Sequence, residues 1–296
     1  MVSFISVNYN GLELTKKMIS SIITNVRSCD FEIIVVDNGS ATNEAEVLQK
    51  EFPQIISIRS EQNLGFAGGN NLALDKANGD LLFFINNDTE ILEDNIDKLC
   101  KVMEKEPAVG IVSPKICFYS DKSVIQYAGY TPMHGFRMKN EMTGYGKRDD
   151  GSFDKPGLTA FPHGAAMMVR REALEEVGPM PELYFLYYEE LDWAMMFLHK
   201  GWLIYFEPAC TIYHKDSMTT KRHGPVFTYY MTRSRLIFAS RNLKGSQRRK
   251  AILFTRYISS SKSWVINMLH GRFKSAGAVI RANADFIRMK RRGEVS

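Results

Sequence analysis

The chain has 296 residues, 45% of them hydrophobic and 24% charged, with 38 Lys+Arg against 33 Asp+Glu. These proportions exclude a disordered, collagen-like or disulfide-framework chain and suit an α/β domain able to bury a sizeable core. The net +5 is uneven: residues 233–296 hold 16 basic and two acidic residues, a local +14, which leaves −9 on residues 1–232.

Val2–Asn8 is an apolar run closed by the turn signal Asn10-Gly11, and it predicts a first strand. Leu14, Met18, Ile22, Ile23 and Val26 recur at helical spacing and predict a helix over 12–26. Residues 31–36 predict a second strand, ended by Asp37-Asn38-Gly39-Ser40; a Glu-rich helix and a third strand over 55–58 follow. Residues 65–69 open a helix expected to reach Ala77, and Leu81–Ile85 is the fourth strand. This alternation predicts an α/β fold with a parallel sheet covered on both faces. After a strand over 109–113 the rhythm becomes irregular, and residues 130–157, rich in Gly, charge and Met, predict a long mobile surface loop. Residues 165–169 return to the sheet, 189–200 predict a helix stopped by Gly201, and 202–206 a strand.

From Val226 the chain reads as helical, broken near Gly245 and Gly271. The organisation expected is a domain over 1–232 and a basic helical extension over 233–296. In its last helix Phe273, Gly277, Ile280, Ala284 and Ile287 recur at three- and four-residue intervals, and Lys274, Arg281 and Arg288 fall seven apart. The charge surplus favours an anionic membrane surface as partner over the ordinary alternative, the solvated face of a packed helix. No nucleic-acid-binding pattern stands out, so nucleic acid is not expected as a partner. Cys29, Cys100, Cys117 and Cys210 lack metal-like spacing and are expected to be reduced thiols of a cytoplasmic protein. The first ten residues do not show a signal-peptide pattern, and no run approaches the ~18 apolar residues of a membrane span.

Chemistry concentrates at strand ends. The apolar run Leu81–Ile85 stops abruptly at Asn86, Asn87 and Asp88. Polar oxygens at the carboxyl end of a strand suit Mg²⁺ or Mn²⁺ bridging to phosphate, although a helix N-cap explains the same residues equally well. Asp37 either accepts from a base N–H and ribose hydroxyls or closes an Asx-turn. Gly65, Gly68 and Gly69, inside Asn63 to Asn71, allow a backbone to approach a diphosphate at a helix start. The arrangement is not G-x-G-x-x-G after a first strand, so NAD is set aside. Tyr187-Tyr188-Glu189-Glu190-Leu191-Asp192-Trp193 places three acids beside aromatics. They favour a helix macrodipole; equally, Glu190 against aromatic surface could have a raised pKa and act as a general base. His214 after Thr211-Ile212-Tyr213 could complete a metal site, though a lone histidine is more often structural.

Taken in order, these motifs resemble glycosyltransferase family 2, in particular its bacterial rhamnosyltransferase-like branch, from about residue 2 to about residue 242. The resemblance implies a GT-A fold with a mixed, mostly parallel sheet, and inverting transfer from a nucleotide-sugar. dTDP-rhamnose is the donor the branch implies, with a UDP-hexose as the alternative; the acceptor is a glycan or lipid-linked glycan at the inner membrane face, as in surface polysaccharide synthesis. Asp37 and the backbone at Val7, Asn8 and Tyr9 would contact base and ribose. Gly65, Gly69, Asn70 and Asn87 would line the nucleotide-sugar site, and His163-Gly164-Ala165 the sugar pocket. Asp88 matches the last acid of the metal motif, with Asn86 where the family has its first acid, and His214 matches a further metal ligand. Glu190 matches the carboxylate that deprotonates the acceptor, usually an Asp; Glu189 and Asp192 match neighbouring acids that help bind sugars. Met196 stands where many relatives carry Arg. Two other readings rank lower. A sugar nucleotidyltransferase would show a cation in the loop after the first strand, and Asn8-Tyr9-Asn10-Gly11 has none. A catalytically dead binding module would not be expected to keep Glu190, Asp88 and His214 together.

Overall fold

The computed structural model describes residues 1–215 and 224–295. Its first half follows the alternation read from sequence: β1 Val2–Asn8, α1 Leu12–Asn25, β2 Phe31–Asn38, α2 Glu44–Glu51, β3 Ile56–Ser60, α3 Gly65–Leu72 and β4 Leu81–Ile85. Then come β5 Thr89–Glu90, α4 Ile96–Lys105, β6 Val109–Phe118, β7 Ile125–Tyr127, β8 Gly157–Leu158 and β9 Ala166–Arg170. The rest is α5 Arg171–Val177, α6 Glu189–His199, β10 Leu203–His214, α7 Pro225–Asn242, α8 Gly245–Leu253, α9 Ser260–Leu269 and α10 Phe273–Arg291. One ten-stranded sheet has the order β3-β2-β1-β4-β9-β6-β10-β5, with β7 on β6 and β8 on β10.

Pairing is parallel across β3-β2-β1-β4 and again between β6 and β10. Between these blocks β9 runs antiparallel to both β4 and β6, so the sheet is mixed. Its strands are apolar at nearly every position because both faces are covered. Phe4, Ile33, Val35, Phe83, Val112 and Met168 point to one face, against Met18 and Ile22 of α1 and Leu99 and Met103 of α4. Their neighbours Ile5, Ile34, Val36, Phe84, Ile111 and Met167 point to the other, against Ala67 of α3, Ala173 of α5 and Trp193 and Phe197 of α6.

Several expectations are corrected. The helix expected over 65–77 ends at Leu72 and continues only as a 3-10 turn at Leu74–Lys76. β6 and β10 are longer than predicted; β10 runs on past Phe206 with a register shift between Glu207 and Thr211. Residues 130–157 are tied down: isolated bridges join Val124 to Arg148, Tyr130 to Met142 and His134 to Lys139, and Lys115 pairs with Asp149 and Asp154. In α10 the apolar stripe read from sequence lies on the outer face, and a second apolar side, not read from sequence, faces the protein. Ala276, Val279, Ala282 and Phe286 are buried, whereas Phe273 and Ile280 are 65% and 61% exposed. The helix carries apolar residues on both sides, which periodicity alone could not rank. α7 runs from Pro225 to Asn242. α7 packs Leu236, Ile237, Phe238 and Ala239 into a third apolar cluster with Tyr184, Tyr188, Leu191 and Met195. All four cysteines are free, and no helix among the described residues is long and apolar enough to cross a membrane.

Candidate active site

The parallel register sets Asn8 beside Asp37, so the polar residues that end β1, β2 and β4 gather at one edge of the sheet, where open α/β sheets bind ligands. Their loops are zipped together. Asn10 accepts from Ala41 N and its own N donates to Ser40 Oγ. Asn87 Nδ2 donates to Thr15 Oγ1 at 3.0 Å, and Asn8 bridges Thr15 and Glu44. Val7 is half-buried and Tyr9 exposed beside them.

Asp37 is fully buried and heavily engaged: it accepts from Ser40 N, Glu44 N and Ala45 N, and pairs with Arg59 Nη1 at 2.5 Å. It therefore caps α2, and a base N–H reaching it would have to share Oδ1. Arg59 went unrecognised at the level of sequence because nothing local links it to Asp37. The glycines of α3 serve close approach. A Cβ on Gly69 would lie 2.8 Å from Val7 Cγ1, and one on Gly65, at φ +75°, 2.3 Å from Phe185 O. Phe66 N donates to Phe185 O, and Asn70 Nδ2 to Phe66 O, so part of this helix start is satisfied within the protein.

Asp88 and His214, far apart in sequence, meet. Antiparallel pairing sets His214 beside Thr89, and His214 Nε2 lies 3.1 Å from Asp88 Oδ1 with both residues buried. Gln126 Oε1, 2.8 Å from Nδ1, can only accept, so Nδ1 carries the hydrogen. In the neutral ring Nε2 then offers a lone pair towards a carboxylate oxygen, an arrangement completed by a proton or a cation. Asp88 and His214 thus fit a divalent cation, with Asn86 beside them. They would supply two ligands only: no group of three His, Cys, Asp or Glu side chains converges among the described residues.

His163 adjoins this pair, its ring centroid 6.1 Å from that of His214. Burial, with the His214 ring, pushes its pKa down to about 3, so it is neutral. Its Nδ1 accepts from Ala165 N, which leaves the hydrogen on Nε2 as a donor. The same segment carries the two remaining parts. Ala165 O accepts from Asn86 N at 2.9 Å, and Gly164 lies against Glu190, whose Cγ would be 3.5 Å from a Cβ there. Burial raises the Glu190 carboxyl above the ordinary range, and backbone N–H groups of the first turn of α6 oppose that shift.

Glu189 and Asp192 sit differently. Glu189 is 3% exposed, its Oε2 has no hydrogen-bond partner, and burial with the adjacent Glu190 raises its pKa well above the ordinary value. Asp192 is 1% exposed, and its oxygens accept from Arg241 Nε and Asn242 Nδ2, which ties α6 to α7. The backbone leading into α6 is strained: Phe185, Tyr187 and Tyr188 have φ of +67°, +64° and +76°. α7 holds it, through Arg233 to Tyr184 O, Ser234 Oγ to Leu186 O, and Tyr230 stacked on Phe185. A separate apolar cavity of about 280 Å³, lined among others by Pro132, Met133, Phe161, Met195, Leu198 and Phe238, includes none of the candidate residues.

Residues 3–178 match the family model "Glycosyl transferase family 2". The O-antigen biosynthesis protein RfbC of Myxococcus xanthus is 23% identical over 74% of this chain and 18% of its own length. The dTDP-rhamnosyl transferase RfbF of Shigella flexneri is 24% identical over 76% of each. The chain spans 18%, 24% and 60% of the length of the first three curated relatives it matches. The mannosyltransferase PcManGT of Pyrobaculum calidifontis, solved with GDP-Man and Mn²⁺, superposes with a TM-score of 0.58 at 15% identity, covering 97% of this chain and 86% of that one. That likeness shows the GT-A fold. With the family match running from β1 to the turn after α5, and so covering Asp37, α3, Asn86 to Asp88 and His163, the chain belongs to glycosyltransferase family 2.

Proposed function

We propose that this protein is an inverting glycosyltransferase that moves rhamnose from dTDP-rhamnose to a hydroxyl of a glycan or lipid-linked glycan at an anionic membrane surface, in surface polysaccharide synthesis. The observation that carries this is the convergence of Glu190, His163 and the Asp88–His214 pair around one peptide segment, residues 163–165. The name of the Shigella relative supports the donor.

In this mechanism Glu190 acts as the proton-accepting carboxylate, and Glu189, whose pKa burial raises well above the ordinary value, is its more deeply buried neighbour. Glu190 accepts the acceptor's hydroxyl proton as the acceptor oxygen bonds to C1. The bond from C1 to the diphosphate oxygen breaks with its electrons leaving on the nucleotide diphosphate, and the configuration at C1 inverts. His163 Nε2–H donates to the bound sugar or diphosphate. Asp88 and His214, with Asn86, would hold a divalent cation, which when bound offsets the charge gathering on the leaving diphosphate. Val7, Asn8, Tyr9 and Asp37 border the nucleotide; Gly65, Gly69, Asn70, Asn87 and Gly164 shape the cleft; Asp192 keeps α6 in place.

The test is release of nucleotide diphosphate from a panel of donors with Mg²⁺, with Mn²⁺ and with EDTA. Turnover of dTDP-rhamnose that collapses in EDTA supports donor, metal and class together. Turnover of a UDP-hexose instead rejects the rhamnosyl assignment. No release from any donor with a lipid-linked acceptor present rejects catalysis.

A further inference from the structure

α8, the π-helical stretch Phe254–Ser259 and α9 form one continuous rod, which turns at Gly271 and returns as α10. Arg272 N donates to Asn267 O at that turn, and Asn283 Nδ2 to Ser260 Oγ between the two arms. The inward side of this hairpin is filled by Ala251, Ala276, Val279, Ala282 and Phe286. Its outward side is unusually apolar. Tyr257, Ile258, Trp264, Val265 and Leu269 are all exposed, Leu269 at 80%, and Phe273 and Ile280 continue the surface onto α10. Single exposed apolar residues need no explanation, but this many on one helical hairpin do.

The charges around them point to the occupant. Residues 245–284 contain eight Lys and Arg and no Asp or Glu. Arg249, Lys250, Lys262, Arg272, Lys274 and Arg281 are exposed on the same hairpin as the apolar side chains. A second copy docking face to face would bring these cations together unpaired. An anionic bilayer instead meets both halves of the pattern: headgroup phosphates take the cations, and the acyl boundary takes Leu269, Phe273, Trp264 and Tyr257, aromatics of the kind that suit a membrane–water interface.

We infer that the outer face of the α8–α10 hairpin, centred on Trp264, Leu269 and Phe273, is the surface by which this protein lies on an anionic lipid membrane. This deepens the membrane-surface part of the proposed function, but it rests on residues outside the candidate active site. It also places the contact on the rod from Leu253 to Phe273 as well as on α10, where sequence periodicity alone had set it. The hairpin is linked towards the site: Phe254 packs on Phe136 at 5.5 Å, and Arg235 donates to Arg137 O and Ser259 Oγ, joining the hairpin to the loop that follows Tyr130.

The experiment is sedimentation of the full chain with vesicles, without donor or acceptor, so that it is independent of catalysis. Vesicles containing phosphatidylglycerol should bind the protein and pure phosphatidylcholine vesicles should not, with binding weakened by salt. Trp264→Glu with Leu269→Glu should lower the partition coefficient at least ~10-fold while nucleotide diphosphate release in solution is unchanged. Lys274→Gln with Arg281→Gln, which leaves the apolar side chains intact, should reduce binding to the anionic vesicles by roughly tenfold or more. Equal binding of wild type to both vesicle types, or full binding by the Trp264/Leu269 variant, overturns the inference. So does a wild-type dimer that this variant converts to monomer, because the face would then be a self-interface.

Discussion

Glu189 and Glu190 are neighbours in sequence with different surroundings, and that difference distributes their protons. Glu190 touches the cleft at Gly164, so Glu190→Gln removes the proton acceptor while keeping the shape. Turnover should fall by about 10²–10⁴-fold with the donor's KM little changed. In the wild type, activity should fall on the acid side at a pH above the ordinary carboxylate range, because burial raises the Glu190 pKa. A pH–rate profile of kcat/KM checks both. Glu189 makes a prediction about stability. Its pKa is raised in the folded state, so between the ordinary value of 4.5 and the folded value the native protein holds the proton more tightly than the unfolded chain. Stability must therefore decline as pH rises through that window, by about 1.4 kcal/mol for each unit of upward shift, or roughly 2–4 °C in Tm per kcal/mol. Glu189→Gln should flatten this decline, so melting curves from pH 5 to pH 8 should converge at the acid end and separate in its favour at the alkaline end. Sequence could name both acids, since three carboxylates at a helix start are conspicuous. It could not tell how far each would be withdrawn from solvent, because that depends on packing between elements distant in sequence.

The approach to α6 shows how elements position these acids. Three non-glycine residues in the left-handed region cost of order 1–3 kcal/mol each and persist only where surrounding contacts hold them. The contacts here come from α7, through Arg233, Ser234 and Tyr230, and from α3, where Gly65 lies against Phe185. Gly65→Ala would put a Cβ 2.3 Å from Phe185 O at φ +75°. We expect a loss of about 2 kcal/mol or more in denaturant midpoint analysis, together with a fall in kcat, because the displaced segment carries Glu190. Gly146→Ala is the control: φ is +72° but a Cβ there meets nothing within 4 Å, so it should cost about 1 kcal/mol and leave kcat unchanged. α6 itself was legible from its apolar spacing and the stop at Gly201. Its supports were not, since Arg241 and Arg233 meet partners that stand 49 residues earlier in the chain, beyond the reach of any local pattern. Gln126 was hidden for the same reason: it orients His214 across a distance no local pattern bridges.

At the scale of the molecule, strands buried on both faces announce themselves as continuous apolar runs, which is why β1, β2 and β4 were legible almost to the residue. The insertion of β9 antiparallel between β4 and β6 was not, because pairing partners leave no trace in a strand's own composition. Charge was legible as a sum and illegible as a surface: the +14 of residues 233–296 predicted a basic region, while the second apolar side of α10, Ala276, Val279, Ala282 and Phe286, by which it packs, was not read from sequence. This asymmetry yields a prediction for the whole enzyme. If a basic, apolar hairpin seats an acidic catalytic body on anionic lipid, an acceptor embedded in the membrane meets Glu190 at a high local concentration that a soluble acceptor lacks. Exposed charges attract through distances of about 10 Å at 0.1 M salt and much less at higher ionic strength, whereas the buried Asp88–His214 pair is screened far less. Raising salt from about 0.1 M to about 0.5 M should therefore cut transfer to an acceptor in phosphatidylglycerol vesicles by at least ~10-fold and change transfer to a soluble acceptor by less than ~2-fold. The ratio of the two rates is the measurement, because it cancels any effect of salt on chemistry. An equal loss on both acceptors would place the salt sensitivity in the catalytic cleft and remove the hairpin from the account of activity.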